Sequence, residues 1–281
     1  MGDGPETRRP EETRLKDEGT TDRGMLKIPQ RLLERLRNAE RVSVLTGAGV
    51  SADSGIPTFR GAGGIWEKYD FRKLATPTGF REDPLLAWEW YQLRQIEMKK
   101  AEPNPAHLTI AEMEPYFREF SVITQNIDGM HKRAGSRRII ELHGNIWRMR
   151  CVRDGTVIDI DEPVKDIPPM CHCGSILRPD VVWFGEPLPE AVLDASSKAA
   201  SESDVMFVVG TSAIVYPAAA LPALTKNAGG LVIEVNLEPT EISTYADLSL
   251  FGHAGELMPA LWEQISSPES FIKRQTIIPN R

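Results

Sequence analysis

Apolar and polar positions alternate along this chain in two registers. Residues 41–46 (RVSVLT) are mostly apolar and β-branched with no polar face, the pattern of a parallel strand covered on both sides. Comparable runs occupy 120–124, 138–142, 205–209 and 231–235. Between them the period lengthens to that of a helix. Leu32, Leu33 and Leu36 predict a helix over 29–39, and Asp83 with Pro84 supplies a cap and first residue for one over 84–100. Further helices are predicted over 105–117, capped by Asn104, over 218–227 and over 257–265. Strands alternating with helices predict an α/β fold, a Rossmann-like, mostly parallel sheet with helices on both faces. The periodicity fails between Cys151 and Cys173, where Asp and Pro accumulate and a small inserted module is expected. Residues 1–24 hold too few apolar side chains to offset the entropy of ordering, so a disordered extension is expected. The tail over 267–281 is expected to be peripheral.

Each strand-like run ends in glycine or polar residues, which is where open α/β sheets bind ligands. After residues 41–46, Gly47, Gly49 and Ala52 fit the G-x-G-x-x-G/A template for a dinucleotide pyrophosphate at a helix N-terminus. The acidic residue expected about 20 positions later is missing from its place. Its candidates, Glu67 and Asp70, follow no strand-like run. Instead the chain continues through Gly55, Phe59 and Arg60 in a Gly- and Pro-rich stretch suited to covering a ligand.

Composition narrows the class. With 281 residues and 41% apolar content, the chain can build one large domain, or one large and one small. The net charge of −7 and the absence of a basic stripe interleaved with aromatics argue against direct nucleic-acid binding. No run reaches membrane-span length and no signal-type apolar stretch opens the chain. Three cysteines, an odd number in one region, are no disulfide scaffold. A soluble protein of a reducing compartment, the cytoplasm, is expected.

Six motifs then occur in one order: GAGVSADSGIPTFRG (47–61), TQNIDGMHKRAG (124–135), ELHGN (141–145), RPDVVWFGE (178–186), GTS (210–212) and VNLEPT (235–240). Together they resemble the sirtuins over residues 29–265. TFRGAGGIW (58–66) and LATP (74–77) are similar to the class III, desuccinylase-like branch. The resemblance implies NAD-dependent deacylation of protein lysines, yielding nicotinamide and O-acyl-ADP-ribose. It implies a catalytic domain over 25–266, with a helical part near 66–104 and a zinc module near 148–178. An ADP-ribosyltransferase, a non-catalytic NAD or ADP-ribose sensor and an ordinary dehydrogenase are the alternatives. Intact Asn126, Asp128 and His143 oppose the sensor, and the missing second-strand acid opposes the dehydrogenase.

The resemblance also implies roles. Gly47, Ala48, Gly49, Ala52, Gly55 and Thr58 would line the NAD site, with Phe59, Arg60 and Trp66 over it. Gln125, Asn126, Ile127 and Asp128 would meet the ribose and nicotinamide. Gly210, Thr211 and Ser212, then Asn236, Leu237, Glu238 and Ala254, would hold the phosphates and adenosine side. His143, assisted by Asn126 and Asp128, would be catalytic, a neutral base drawing a proton from a ribose hydroxyl. An unperturbed imidazole pKa of about 6.5 suits that task. Val181, Trp183, Phe184 and Gly185 would pair with the substrate backbone as an added strand. Tyr91 and Arg94, one helical turn apart, would grip an acidic acyl group, succinyl, malonyl or glutaryl, with small Ala75 leaving room.

The metal motif departs from the family's two C-x-x-C pairs. Cys151, Cys171 and Cys173 remain, Asp154 stands at the second position and Met170 at the third. A structural zinc is expected on the three thiolates, with Asp154 or His172 as fourth ligand. The alternative is a module that keeps its shape without metal.

Overall fold

The computed structural model describes residues 26–59 and 64–267. The expected N-terminal extension, Arg60 and the tail beyond Ser267 lie outside the described residues. Helix α1 (Gln30–Asn38) buries Leu33 and Leu36 and leads into β1 (Arg41–Thr46), where every side chain after Arg41 is buried. The chain then turns into a 3-10 helix, Ala48–Ser54, where the sequence suggested an α-helical N-terminus. Gly and Ser are poor α-helix formers, and Gly55, at φ +78°, ends the element after seven residues.

Three short helices follow: α2 (Ile65–Lys68), α3 (Phe71–Leu74) and α4 (Pro77–Glu82). None carries a full amphipathic period, so none was legible. Helix α5 (Pro84–Lys100) has the expected bounds, and the Asp83 carboxylate accepts the Leu86 N–H at 2.9 Å. Helix α6 (Pro105–Met113) starts at the expected Asn104 cap but stops four residues early. Glu114 keeps helical backbone, but Pro115 has no N–H to carry the hydrogen-bond ladder on to Ala111 O. Then come β2 (Glu119–Thr124), α7 (Met130–Ala134) and β3 (Ile139–Glu141). The irregular stretch is framed by β4 (Gly144–Cys151), β5 (Val157–Asp159) and β6 (Leu177–Val181), an antiparallel sheet in the order β5-β4-β6. The chain closes with α8 (Glu190–Glu202), β7 (Val205–Val209), α9 (Leu221–Asn227), β8 (Leu231–Asn236), β9 (Leu248–Phe251) and α10 (Ala254–Ile265). The helix expected over 218–227 opens as a 3-10 turn, Ala218–Ala220, and α10 begins three residues before its expected start.

Six strands form one parallel sheet in the order β3-β2-β1-β7-β8-β9. This is the doubly wound order, whose direction reverses between β1 and β7 and opens a crevice at the carboxyl ends there. The register sets Thr46 beside both Thr124 and Val209, so three strand ends finish level. On one face Val44, Val122, Phe207 and Ile233 pack under α1, α6 and α10. On the other, Leu45, Ile123, Met206 and Val232 pack under α8 and α9. Each such side chain, fully buried, contributes about 1.5–3 kcal/mol. A third cluster joins Trp88 and Tyr91 of α5 to Ile146, Leu177 and Trp183. Among the described residues no helix is long and apolar enough to cross a membrane.

Candidate active site

The loops after β1 and β7 interlock at the crevice. The N–H of Gly49 donates to Gly210 O at 2.8 Å, and that of Gly47 to Val209 O at 3.1 Å. Gly210 stands at φ +60°, and a Cβ there would lie 2.2 Å from Val50 N. A Cβ on Gly49 would meet Gly210 Cα at 2.8 Å. These glycines are required first by the meeting of two loops, before any ligand is considered. Around them Gln125 Nε2 donates to Thr211 Oγ1 at 2.9 Å, and Asn236 Nδ2 to Thr211 O at 3.0 Å. Thr211 Oγ1 also accepts the Ala213 N–H, which leaves the hydroxyl proton to donate elsewhere. Ala254 is buried at the start of α10, which Asp53 pins to the 3-10 helix by bonds from His253 Nδ1 (2.7 Å) and the Gly255 N–H (3.0 Å). Ser212, Leu237 and Glu238 are exposed at the crevice rim. Strand ends, bare backbone and convergent amides and hydroxyls fit a dinucleotide.

A sealed polar layer lies beneath. Both amide protons of Asn126 are spent, on Gly47 O at 3.0 Å and Ser51 Oγ at 3.1 Å, so only its carbonyl oxygen remains for a ligand. Asp128 accepts from Ser51 Oγ at 2.8 Å and from the Met130 N–H at 2.9 Å. Burial raises its carboxyl above the ordinary range, and those two donors oppose the rise. His107 Nε2 lies 3.3 Å from Ser51 Oγ, and His131 Nε2 lies 2.9 Å from Thr46 Oγ1. The two imidazoles meet edge to face at 5.0 Å. Burial pushes His107 down to about 4 and His131 to about 3, so both are neutral at pH 7. Ser51, Thr46 and His107 were not singled out from sequence. A serine within GAGVSADS is ordinary helix-cap chemistry, and nothing local says that it faces a carboxylate 77 residues away.

His143 is half-buried at the end of β3. Its Nδ1 lies 2.9 Å from Gln125 O. A carbonyl can only accept, so Nδ1 carries the proton and Nε2 holds the lone pair. Burial lowers the imidazole pKa, and the Gln125 bond partly restores it. Above the crevice Phe59 stacks on Trp66 at 5.7 Å, and Trp66 on Trp90 at 5.5 Å. Phe184 meets Trp66 edge-on at 6.0 Å.

Tyr91 and Arg94 are both buried on α5. Trp183 Nε1 donates to Tyr91 Oη at 2.8 Å. An indole cannot accept, so the phenol keeps its own proton for another partner. Arg94 Nη1 donates to Glu97 at 2.7 Å, while Nη2 is buried with no hydrogen-bond partner among the described residues. The N–H groups of Val182, Trp183 and Phe184 are spent on His143 O, Glu186 and Ala75 O. This segment therefore offers an added strand its Val182 and Phe184 carbonyls and the Gly185 N–H. That is fewer main-chain donors than an open strand edge presents.

The metal cluster lies in the small sheet. The ligand atoms of Cys151, Asp154, Cys171 and Cys173 all lie within 4.8 Å of one another, and Cys151 Sγ is 3.5 Å from Cys173 Sγ. Tetrahedral zinc with bonds of about 2.3 Å holds its sulfurs about 3.8 Å apart, so the set fits one ion. His172 Nδ1 lies 3.4 Å from Cys171 Sγ, but the ring is exposed and does not join the four mutually close ligand atoms, which favours Asp154 for the fourth position.

Comparison with known proteins agrees with this geometry. A family model described as Sir2 family matches residues 47–217. The chain is 53% identical over 231 residues to NAD-dependent protein deacylase 2 of Pyrobaculum aerophilum, spanning 82% of this chain and 93% of that one. A mutant Sir2 homologue solved with ADP-ribose superposes with a TM-score of 0.83 at 42% identity, covering 90% of this chain and all of that one. A Sir2 homologue solved with NAD gives 0.80 at 43% identity, covering 88% and 97%.

Proposed function

The chain belongs to the Sir2 family and is an NAD-dependent protein deacylase; from that premise we propose that it acts on lysines bearing acidic acyl groups, succinyl, malonyl or glutaryl, and on acetyl-lysine as well. One observation carries the proposal: Arg94 is only 5% exposed, yet its Nη2 has no hydrogen-bond partner among the described residues. A buried unpaired donor on a cation is costly, of the order of 1–3 kcal/mol or more. A carboxylate entering between Arg94 and Tyr91 would remove that cost and accept the phenol proton. Acetyl-lysine has no such group.

NAD supplies an electrophilic ribose carbon and nicotinamide as leaving group. The remaining work falls to the chain. The interlocked loops, Thr211, Gln125 and Asn236 hold the nucleotide at the crevice. Asn126 presents its carbonyl oxygen toward the nicotinamide half, and Asp128 with Ser51 keeps Asn126 oriented. Phe59 and Trp66 close over the ribose and exclude water. His143 Nε2 takes a proton from a ribose hydroxyl, and Gln125 O fixes the tautomer that can do so. Cys151, Asp154, Cys171 and Cys173 would hold a zinc ion, which would serve structurally by tying the small sheet together.

The test is kcat/KM on succinyl- and acetyl-lysine peptides for the wild type and Arg94→Met. A charge-assisted bond of about 1.5–3 kcal/mol predicts a 10- to 200-fold loss on the succinyl peptide, with far less on the acetyl peptide. Equal losses on both would mean that Arg94 supports the fold and does not read the acyl group.

A further inference from the structure

Helix α5 carries a second orphan beside Arg94. Trp90 is 5% exposed, and its Nε1 is buried with no hydrogen-bond partner among the described residues. Trp90 and Arg94 are four residues apart, so they share one face of α5. Tyr91 adjoins both, three residues before Arg94 and edge-to-face against the Trp90 ring at 4.8 Å. The indole is also held in place: it stacks on Trp66 at 5.5 Å and meets Tyr69 edge-on at 6.3 Å. Tryptophan was not needed to fill this space, since phenylalanine would stack without burying a donor. Indole N–H groups that leave water normally find an acceptor. Two such groups on one helix face, with a phenol proton on the neighbouring Tyr91, call for an acceptor rich in lone pairs. A carboxylate has two oxygens and about four lone-pair sites, enough for all three donors.

We propose that Trp90 is a further specificity-determining residue, whose Nε1–H hydrogen-bonds the distal carboxylate of an acidic acyl-lysine together with Arg94 and Tyr91. The proposal rests on the acidic-acyl reading above and adds a donor to it. Trp90→Phe keeps the stacked ring and removes only the donor and the second ring. It is expected to lower the succinyl-over-acetyl ratio of kcat/KM about tenfold, whatever common factor both substrates lose. Most of that change should fall in KM, because the contact is to the unreacting end of the chain. A second measurement needs no turnover. With succinyl-lysine peptide and no NAD, the Trp90 indole N–H proton resonance, assigned by its absence in Trp90→Phe, should move downfield. Acetyl-lysine peptide should leave it in place.

An unchanged succinyl-over-acetyl ratio in Trp90→Phe, or an indole resonance indifferent to the succinyl peptide, would overturn the role of Trp90. If Arg94→Met still destroyed succinyl preference in that case, the acidic-acyl reading would stand alone. A wild-type enzyme without succinyl preference would overturn both.

Discussion

At the scale of single residues, His143 and Arg94 use burial for opposite ends. Desolvation keeps His143 neutral, and one carbonyl bond selects the tautomer with an exposed lone pair. Because a base must be unprotonated to act, lowering its pKa extends activity toward acid. The acidic limb of kcat/KM should therefore fall with a midpoint below about 6.5, the ordinary imidazole value. A midpoint above it would assign the limb to another group. His143→Ala should reduce deacylation by about 10²–10⁴-fold while NAD still quenches tryptophan fluorescence or is seen by calorimetry. Retention of more than a few per cent of activity would remove His143 from the base role. For Arg94, burial lowers the pKa; among the described residues Glu97, itself 61% exposed, is its one ion-pair partner, with Asp128 adding a weaker attraction. A cation left this incompletely paired costs stability, and under the acidic-acyl proposal that cost is the counterpart of recognition.

At the scale of elements, the four grouped ligands predict that a metal stabilises the small sheet. Strand β4 is paired only with β5 and β6, of three and five residues, and the loop between β5 and β6 has little regular structure of its own. A closed tetrahedral site supplies the cross-links such a module lacks. Elemental analysis should find one zinc per chain, and changing Cys151 and Cys173 to Ser should release it. The carboxylate is the unusual ligand. Asp154→Ala leaves three thiolates and should weaken zinc, read as faster release to a chromogenic chelator, whereas Asp154→Cys should slow release. His172→Ala should change neither. A metal-free, folded and active preparation would show that the module stands without its ion. The same scale explains the helices. Asp83, Asn104 and Thr76 cap α5, α6 and α4 by side-chain bonds, and capping residues are local signals.

At the scale of the whole molecule, the sealed layer under the crevice links β1, β2, α6, α7 and the 3-10 helix through neutral imidazoles. His107 and His131 have folded-state pKa values of about 4 and about 3, well below the 6.5 of the unfolded chain. Between those values the unfolded state binds more protons, so stability rises with pH there and is lost as pH falls from about 6.5. Over the two pH units from about 6.5 to about 4.5 each imidazole can contribute up to about 2.7 kcal/mol to that loss. Asp128 acts in the opposite sense, because its raised pKa makes the folded state the better proton binder. Urea midpoints measured from pH 7 to pH 4.5 should fall, and His131→Asn should flatten the slope. A wild-type midpoint constant over that range would show that water already reaches these rings.

Most of the frame was legible in the chain itself. Buried strands announce themselves by unbroken apolar runs, and β1, β2, β7 and β8 stand within a residue of their expected bounds. Helix α5 declared its cap, its length and the one-turn spacing of Tyr91 and Arg94, because those properties depend on neighbours within four residues. The motifs at strand ends told where the site would lie, since a parallel sheet brings its carboxyl ends to one edge. What tertiary structure decided are meetings across long stretches of chain. Gly49 is needed because Gly210 comes to rest against it, Ser51 serves Asp128, and Asp154 rather than His172 gathers with the three thiols. The missing partners of Trp90 Nε1 and Arg94 Nη2 belong to the same class. Local pattern records whether a residue is buried and which way it faces on its own element. Which groups it then faces is set by sheet order, register and crossover, and those exist only once the whole chain has folded.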